Sequence, residues 1–147
     1  MVRIYLVILI ALGLAGCTTF HGLKPITPEI SAETANLRPH FKWEASSNTT
    51  AKYDFAIFEQ IEKRSAQTGL LNVVLVPGER IYYREGLEKN EHILEVDLKP
   101  GKEYLWSVRV RDGKKIERWS AYDNFVFFGV GYSNKRNQFF PLKILDK

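Results

Sequence analysis

Tyr104-Leu105-Trp106-Ser107-Val108-Arg109-Val110-Arg111 places a large apolar residue at every second position. Tyr104, Trp106, Val108 and Val110 share one side of a period of two, and Leu105, Ser107, Arg109 and Arg111 share the other. Side chains of an extended chain alternate between faces, so this is the pattern of a half-buried β-strand. The same period recurs on both sides. Phe41 and Trp43 alternate with Lys42 and Glu44; Tyr53, Phe55 and Ile57 with Asp54, Ala56 and Phe58. Leu94, Val96 and Leu98 alternate with Glu95 and Asp97, and Phe125 and Phe127 with Asn124, Val126 and Phe128. Val73 to Val76 and Ile81 to Arg84 are further short strand candidates. Turn formers separate the runs at Ser46-Ser47-Asn48, Pro77-Gly78, Glu88-Lys89-Asn90, Lys99-Pro100-Gly101 and Asp112-Gly113. Only residues 58–68 have helical character, and residues 29–37 read as one helical turn or an edge strand, the strand being taken. Many short strands between regular turns predict an all-β chain, an antiparallel β-sandwich.

Composition agrees with one compact domain. The 147 residues are 45% hydrophobic and 26% charged, which excludes a disordered tail, a collagen-like repeat and a multispan membrane protein. Lys plus Arg number 21 against 17 Asp plus Glu, a net charge of +4, too mild for a nucleic-acid binder, and no nucleic-acid partner is expected. A single cysteine excludes an internal disulfide.

The chain begins with one cation, Arg3, followed by the uncharged run Ile4–Leu14 and the small residues Ala15 and Gly16 before Cys17. A helical bilayer span needs about 20 apolar residues, and this run is the size of a secretory signal core instead. Leu14-Ala15-Gly16-Cys17 resembles the lipobox of bacterial lipoprotein precursors at all four positions. The resemblance implies recognition of Leu14, Ala15 and Gly16 by a signal peptidase, cleavage before Cys17, and a diacylglyceryl group on the Cys17 sulfur, commonly with acylation of the new amino group. Each buried CH₂ contributes about 0.8 kcal/mol, so two or three acyl chains hold a protein at a membrane without a spanning helix. Thr18 follows Cys17 where the family's inner-membrane retention signal has Asp. The periplasmic face of the outer membrane is therefore the expected location, with the cell surface as the alternative.

Leu98-Lys99-Pro100-Gly101-Lys102-Glu103-Tyr104 resembles the turn between the fifth and sixth strands of fibronectin type III domains. The resemblance implies a tyrosine corner, in which the Tyr104 hydroxyl bonds upstream backbone and pins the crossover between two sheets. Trp43 is similar to the family's second-strand core tryptophan, and Arg118-Trp119-Ser120 to the start of its last strand, so the two large tryptophans Trp43 and Trp106 are expected on facing sheets. The likeness covers roughly residues 26–128. It departs in the long stretch 60–92 and in lacking both an Arg-Gly-Asp sequence and paired cysteines.

Catalytic signals are sparse. His21, His40 and His92 lack metal-motif spacing and read as surface or linker residues, and no metal or cofactor is expected. Asp54, Asp97, Asp112 and Asp123 fall on strand faces or at turns. No nucleophile elbow, phosphate loop or dinucleotide fingerprint occurs, and Gly129-Val130-Gly131 reads as an exit from the last strand. Glu62-Lys63-Arg64 is a charged run, and Arg109 and Arg111 share a face that reads as solvated. The candidates for partner binding are Tyr82 and Tyr83, and Phe139 and Phe140 in a tail able to add a strand to its own domain or to a partner. The expected organisation is a signal peptide (1–16), a lipidated tether (17–25), a fibronectin type III-like sandwich (26–128) and a tail (129–147). The expected role is a non-enzymatic, membrane-anchored binding or scaffolding module with an envelope protein or glycan partner. The alternatives are a structural subunit of an envelope assembly and, less favoured, an enzyme acting on cell-wall glycan.

Overall fold

The computed structural model describes residues 17–65, 72–128 and 131–146, and every regular element among them is a strand. In chain order these are β1 (Cys17–His21), β2 (Pro25–Thr27), β3 (Ala32–Thr34), β4 (His40–Trp43), β5 (Lys52–Ser65) and β6 (Asn72–Leu87). Then come β7 (Glu91–Ile93), β8 (Glu103–Asp112), β9 (Lys115–Ile116), β10 (Ala121–Phe128), β11 (Gly131–Gln138) and β12 (Phe140–Ile144). The chain is all-β, and two sheets pack as a sandwich. One has the order β2-β4-β7; the other runs β3-β12-β8-β5-β6, with β9 paired to the end of β8. A third sheet has the order β1-β10-β11.

The period of two builds the core. Phe41 and Trp43 of β4 are fully buried and meet the inward residues of β5 and β8 from the facing sheet. Trp43 stacks on Phe55 at 5.9 Å, and Phe41 meets Trp106 edge-on at 5.1 Å. Such pairs contribute about 0.5–1.5 kcal/mol beyond the area they bury. Phe140, Leu142 and Ile144 complete the same core, with Phe140 edge-on to Trp106 at 5.0 Å. At the crossover, the Lys99 N–H donates to the Tyr104 hydroxyl at 2.9 Å.

Several expectations are corrected. Residues 58–65 are strand, not helix: β5 continues to Ser65 because its far half pairs with Asn72–Pro77, and a partner strand outweighs the helical leaning of Glu62-Lys63-Arg64. Residues 66–68 of that stretch lie outside the described residues. Pro77-Gly78 does not end a strand. β6 passes through it as an edge strand, which tolerates a missing N–H, and the pairing shifts register nearby. Gly78 is required there, since a Cβ would lie 2.8 Å from Ile61 Cγ2 and 3.2 Å from the Glu59 carbonyl. The long stretch 60–92 is thus mostly one extended hairpin. Residues 94–98 are not a strand; β7 ends at Ile93, and the following loop buries Leu94 and Leu98 while Val96 stays 44% exposed.

The boundaries also move. The tether expected at 17–25 is folded: β1 pairs with β10, Leu23 N–H donates to Ser120 Oγ at 2.8 Å, and Glu44 N–H to the Lys24 carbonyl at 2.9 Å. The sandwich does not end at 128. β10 belongs to the third sheet, and the place beside β8 is taken by β12, so the expected tail supplies a central strand to its own domain. β12 also pairs in parallel with β3, the edge strand found within 29–37. Gly131 opens β11, and residues 129–130 lie outside the described residues.

Candidate functional site

Alternation divides the aromatic candidates. Tyr82 pairs with Ile57 and Tyr83 with Ala56, neighbours on opposite faces of the sheet. Phe140 is fully buried in the sandwich core, which withdraws it as a surface residue, whereas Phe139 lies on the other face and contacts Phe58 at 5.5 Å. The four residues therefore do not form one patch. Tyr83 and Phe139 come together through Trp119, at 6.4 and 6.5 Å between ring centroids, and Tyr82 and Phe140 face the sandwich interior.

The outer face of the six-stranded sheet carries more than rings. Asp54, in the middle of β5, is 0% exposed and sits opposite Arg109 in the β5–β8 register. Its Oδ1 accepts Arg111 Nε at 2.8 Å and the Gly86 N–H at 3.2 Å; its Oδ2 accepts Arg111 Nη2 at 2.8 Å and Arg109 Nε at 3.0 Å. Gly86 has φ 69°, a left-handed conformation natural to glycine at the place where its N–H meets the carboxylate. Burial raises the Asp54 carboxyl, but hydrogen bonds from Arg111, Arg109 and Gly86 outweigh it and hold the group below the ordinary carboxylate range. The same contacts raise Arg111. Arg109 and Arg111 are only 21% and 26% exposed, so this is not the freely solvated face expected from their spacing.

Guanidiniums and rings interleave here. Arg109 lies over the Trp119 ring at 4.4 Å and Arg80 over Tyr83 at 4.7 Å, while Arg111 Nη2 also reaches Glu85 at 3.1 Å. Such stacking leaves the cation electrostatically favoured on a ring face. Beside the strip is an open hollow of about 620 Å³ lined by Tyr83, Glu85, Gly86, Glu88, Lys89 and Glu91 among others. Its carboxylates are engaged: Glu85 with Arg111, Glu88 with Lys52, Glu91 with His40. Chemically, the strip offers stacking surface and cationic hydrogen-bond donors.

The histidines are not all at the surface. His92 is half-buried and stacked on Tyr82 at 5.6 Å, with Nε2 2.8 Å from the Tyr82 hydroxyl, which donates to Glu95 at 3.2 Å. Burial lowers His92. Burial, with the Glu95 charge and hydrogen bond, pushes Tyr82 up to about 12. His21 pairs with Asp123 at 3.0 Å and His40 with Glu91 at 3.1 Å.

The sequence places Asp54 on a strand face and Trp119 at the start of a strand, but marks neither as a site residue. One acid inside the otherwise apolar run Tyr53–Phe58, and two arginines two residues apart in β8, are the available signals. Only strand pairing brings them together. Leu14, Ala15 and Gly16 lie outside the described residues, and Cys17 opens β1 opposite Phe125. No known protein family, curated protein or solved structure matches the chain.

Proposed function

We propose that this chain is the precursor of a lipid-anchored bacterial envelope protein, whose β-sandwich is a non-catalytic binding or scaffolding module. The observation that carries the reading is Leu14-Ala15-Gly16-Cys17 placed directly after an uncharged run of signal-peptide length, with Cys17 the one thiol of the chain. Acyl chains on Cys17 supply the membrane association, on the periplasmic face of the outer membrane or at the cell surface.

A fibronectin type III-like fold is part of the same proposal. Its support is the Lys99–Tyr104 hydrogen bond at the Leu98-Pro100-Tyr104 turn, the three-stranded β2-β4-β7 sheet carrying Trp43, and the facing β12-β8-β5-β6 strands carrying Trp106. In this reading β9, β10 and β11 are an insertion between the sixth strand and the last. For the binding surface, the strip of Tyr83, Trp119, Phe139 and Arg109 is the best supported, because it combines ring faces with partly exposed guanidinium.

Fractionation of cells making the wild-type and Cys17→Ser chains tests the anchor. Wild type is expected in the membrane, with Cys17→Ser losing membrane retention or accumulating uncleaved. Identical distribution and identical length of the two chains overturns it. For the module, crosslinking followed by pull-down is expected to give a stoichiometric envelope-protein partner that is lost with Trp119→Ala. Glycan enrichment alone would move the assignment to glycan binding.

A further inference from the structure

We infer that the hollow where the six-stranded sheet meets Tyr122 and Gln138 of the third sheet binds one neutral sugar ring, free or at the end of a glycan. The inference goes beyond the envelope-module reading and needs neither a lipid on Cys17 nor the ring strip around Trp119. One register row builds most of the site. Gln60 of β5, Glu103 of β8, Lys143 of β12 and Glu33 of β3 follow one another across four neighbouring strands, with Glu103 opposite Lys143 and Lys143 beside Glu33. Side chains in register share a face of the sheet. Hydrogen bonds join them: Gln60 Nε2 donates to Glu103 Oε2, and Lys143 Nζ to Glu33 Oε1 at 3.2 Å. Tyr122 of β10 and Gln138 of β11 are partners in the third sheet and line the same hollow.

Two of its polar groups have no partner. Tyr122 is 5% exposed and Gln138 9%. Among the described residues, nothing hydrogen-bonds the Tyr122 hydroxyl or the Gln138 side-chain amide. Nearly buried polar groups are ordinarily paired, because leaving them unpaired costs free energy. The polar side-chain atoms sealed away without a partner among the described residues are the indole N–H groups of Trp43 and Trp106. The phenol and the amide are therefore not sealed, and they open onto the hollow that both residues line. Burial also raises the Tyr122 hydroxyl, so it stays protonated and both donates and accepts.

Size and chemistry select the ligand. The hollow holds about 220 Å³, room for about seven waters of the liquid and below the roughly 300–1,000 Å³ of drug-sized sites. One ring with its hydroxyls is on that scale, and a longer glycan can place only its end there. Lys143 offsets Glu33, which leaves Glu103 as the unbalanced charge of the lining. A phosphate or carboxylate would meet that charge with no free cation to offset it. A small ammonium would suit Glu103 but leave the Gln138 amide N–H unpaired. An alcohol hydroxyl both donates and accepts, so it alone can serve the phenol, both ends of the amide and the carboxylate. Several hydroxyls on one small frame engage them together, and Leu75, Pro141 and Leu142 give apolar lining for the C–H face of the ring.

The test uses the full chain, purified in a detergent without a sugar headgroup and titrated calorimetrically with glucose, galactose, mannose and N-acetylglucosamine. Inorganic phosphate and choline serve as charged probes. Saturable binding of at least one of the four sugars, and of neither charged probe, supports the inference. Tyr122→Phe and Gln138→Met each remove a hydrogen bond to the sugar and are expected to weaken binding about three- to tenfold. Lys42→Ala, in the facing sheet, is expected to leave binding unchanged. Neither group has a partner in the protein to lose, so both variants are expected to keep the wild-type melting temperature, which separates lost binding from lost fold. No saturable binding of any of the four sugars overturns the inference. So does binding that both variants leave intact, or a preference for phosphate or choline. A glycan ending in the bound sugar separates the two sources: competition at equal strength assigns a glycan end, and no competition a free sugar, either of which supports the site.

Discussion

Asp54→Asn keeps the shape of the side chain and removes its charge, which leaves buried donors facing the wrong group. Oδ1 accepts Arg111 Nε and the Gly86 N–H; Oδ2 accepts Arg111 Nη2, Arg109 Nε and, at 3.4 Å, the Tyr83 hydroxyl. Whichever position the amide nitrogen takes, it faces at least two N–H groups, so at least two donors lose their acceptor. Breaking a buried ion pair from one side costs about 3–5 kcal/mol. The lower end applies, because Arg109 and Arg111 keep 21% and 26% exposure and water can reach them. A loss of about 3 kcal/mol is a large share of the 5–15 kcal/mol typical of whole domains. It lowers the melting temperature by roughly 10 °C in a domain of this size. Thermal unfolding followed by tryptophan fluorescence reads the change. The pH dependence gives the sign: Asp54 is held below its ordinary value of 3.8, so its stabilisation is present above that value and is lost as pH falls through the lower folded one. Asp54→Asn lacks that acid-side loss. A cost under about 1 kcal/mol, the scale of an exposed pair, would refute the reasoning.

Tyr104→Phe strands the Lys99 N–H and is expected to cost about 1–3 kcal/mol by urea unfolding, with the fold retained in circular dichroism. Trp106→Ala empties the centre of the ring cluster around Phe41, Phe55 and Phe140 and is expected to cost about 3–5 kcal/mol, read as a collapse of the unfolding midpoint or loss of folded protein. Burial lowers His92, so its share of stability is full above its ordinary value of 6.5 and is lost as pH falls through the folded value. Replacement by Gln should flatten the melting temperature below pH 6.5, and an unchanged profile counts against the buried setting.

Strands whose apolar residues alternate strictly and whose turns are local were legible in the sequence. β4 and β8 are two such strands, and their tryptophans do lie on facing sheets. Where local signal and pairing disagreed, pairing prevailed. The charged end of β5 is strand only because Asn72–Pro77 lies against it, and Leu94, Val96 and Leu98 alternate without a ladder because their loop is held by the Leu94 and Leu98 N–H groups on Pro39 and Leu37 carbonyls. The return of β12 to β8 past β9, β10 and β11 leaves no local trace at all. The site followed the same division. Alternation alone separates Tyr82 from Tyr83 and Phe139 from Phe140. That Arg109 and Arg111 close on Asp54 depends on the β5–β8 register, which spacing within one strand cannot show.

Everything proposed for location begins at residue 17. The most direct measurement is intact-mass and N-terminal peptide mass spectrometry of the protein extracted from bacterial membranes. Lipid anchoring predicts a chain that starts at Cys17 and carries the mass of a diacylglyceryl thioether. A chain that retains Met1 and a free Cys17 thiol would contradict it.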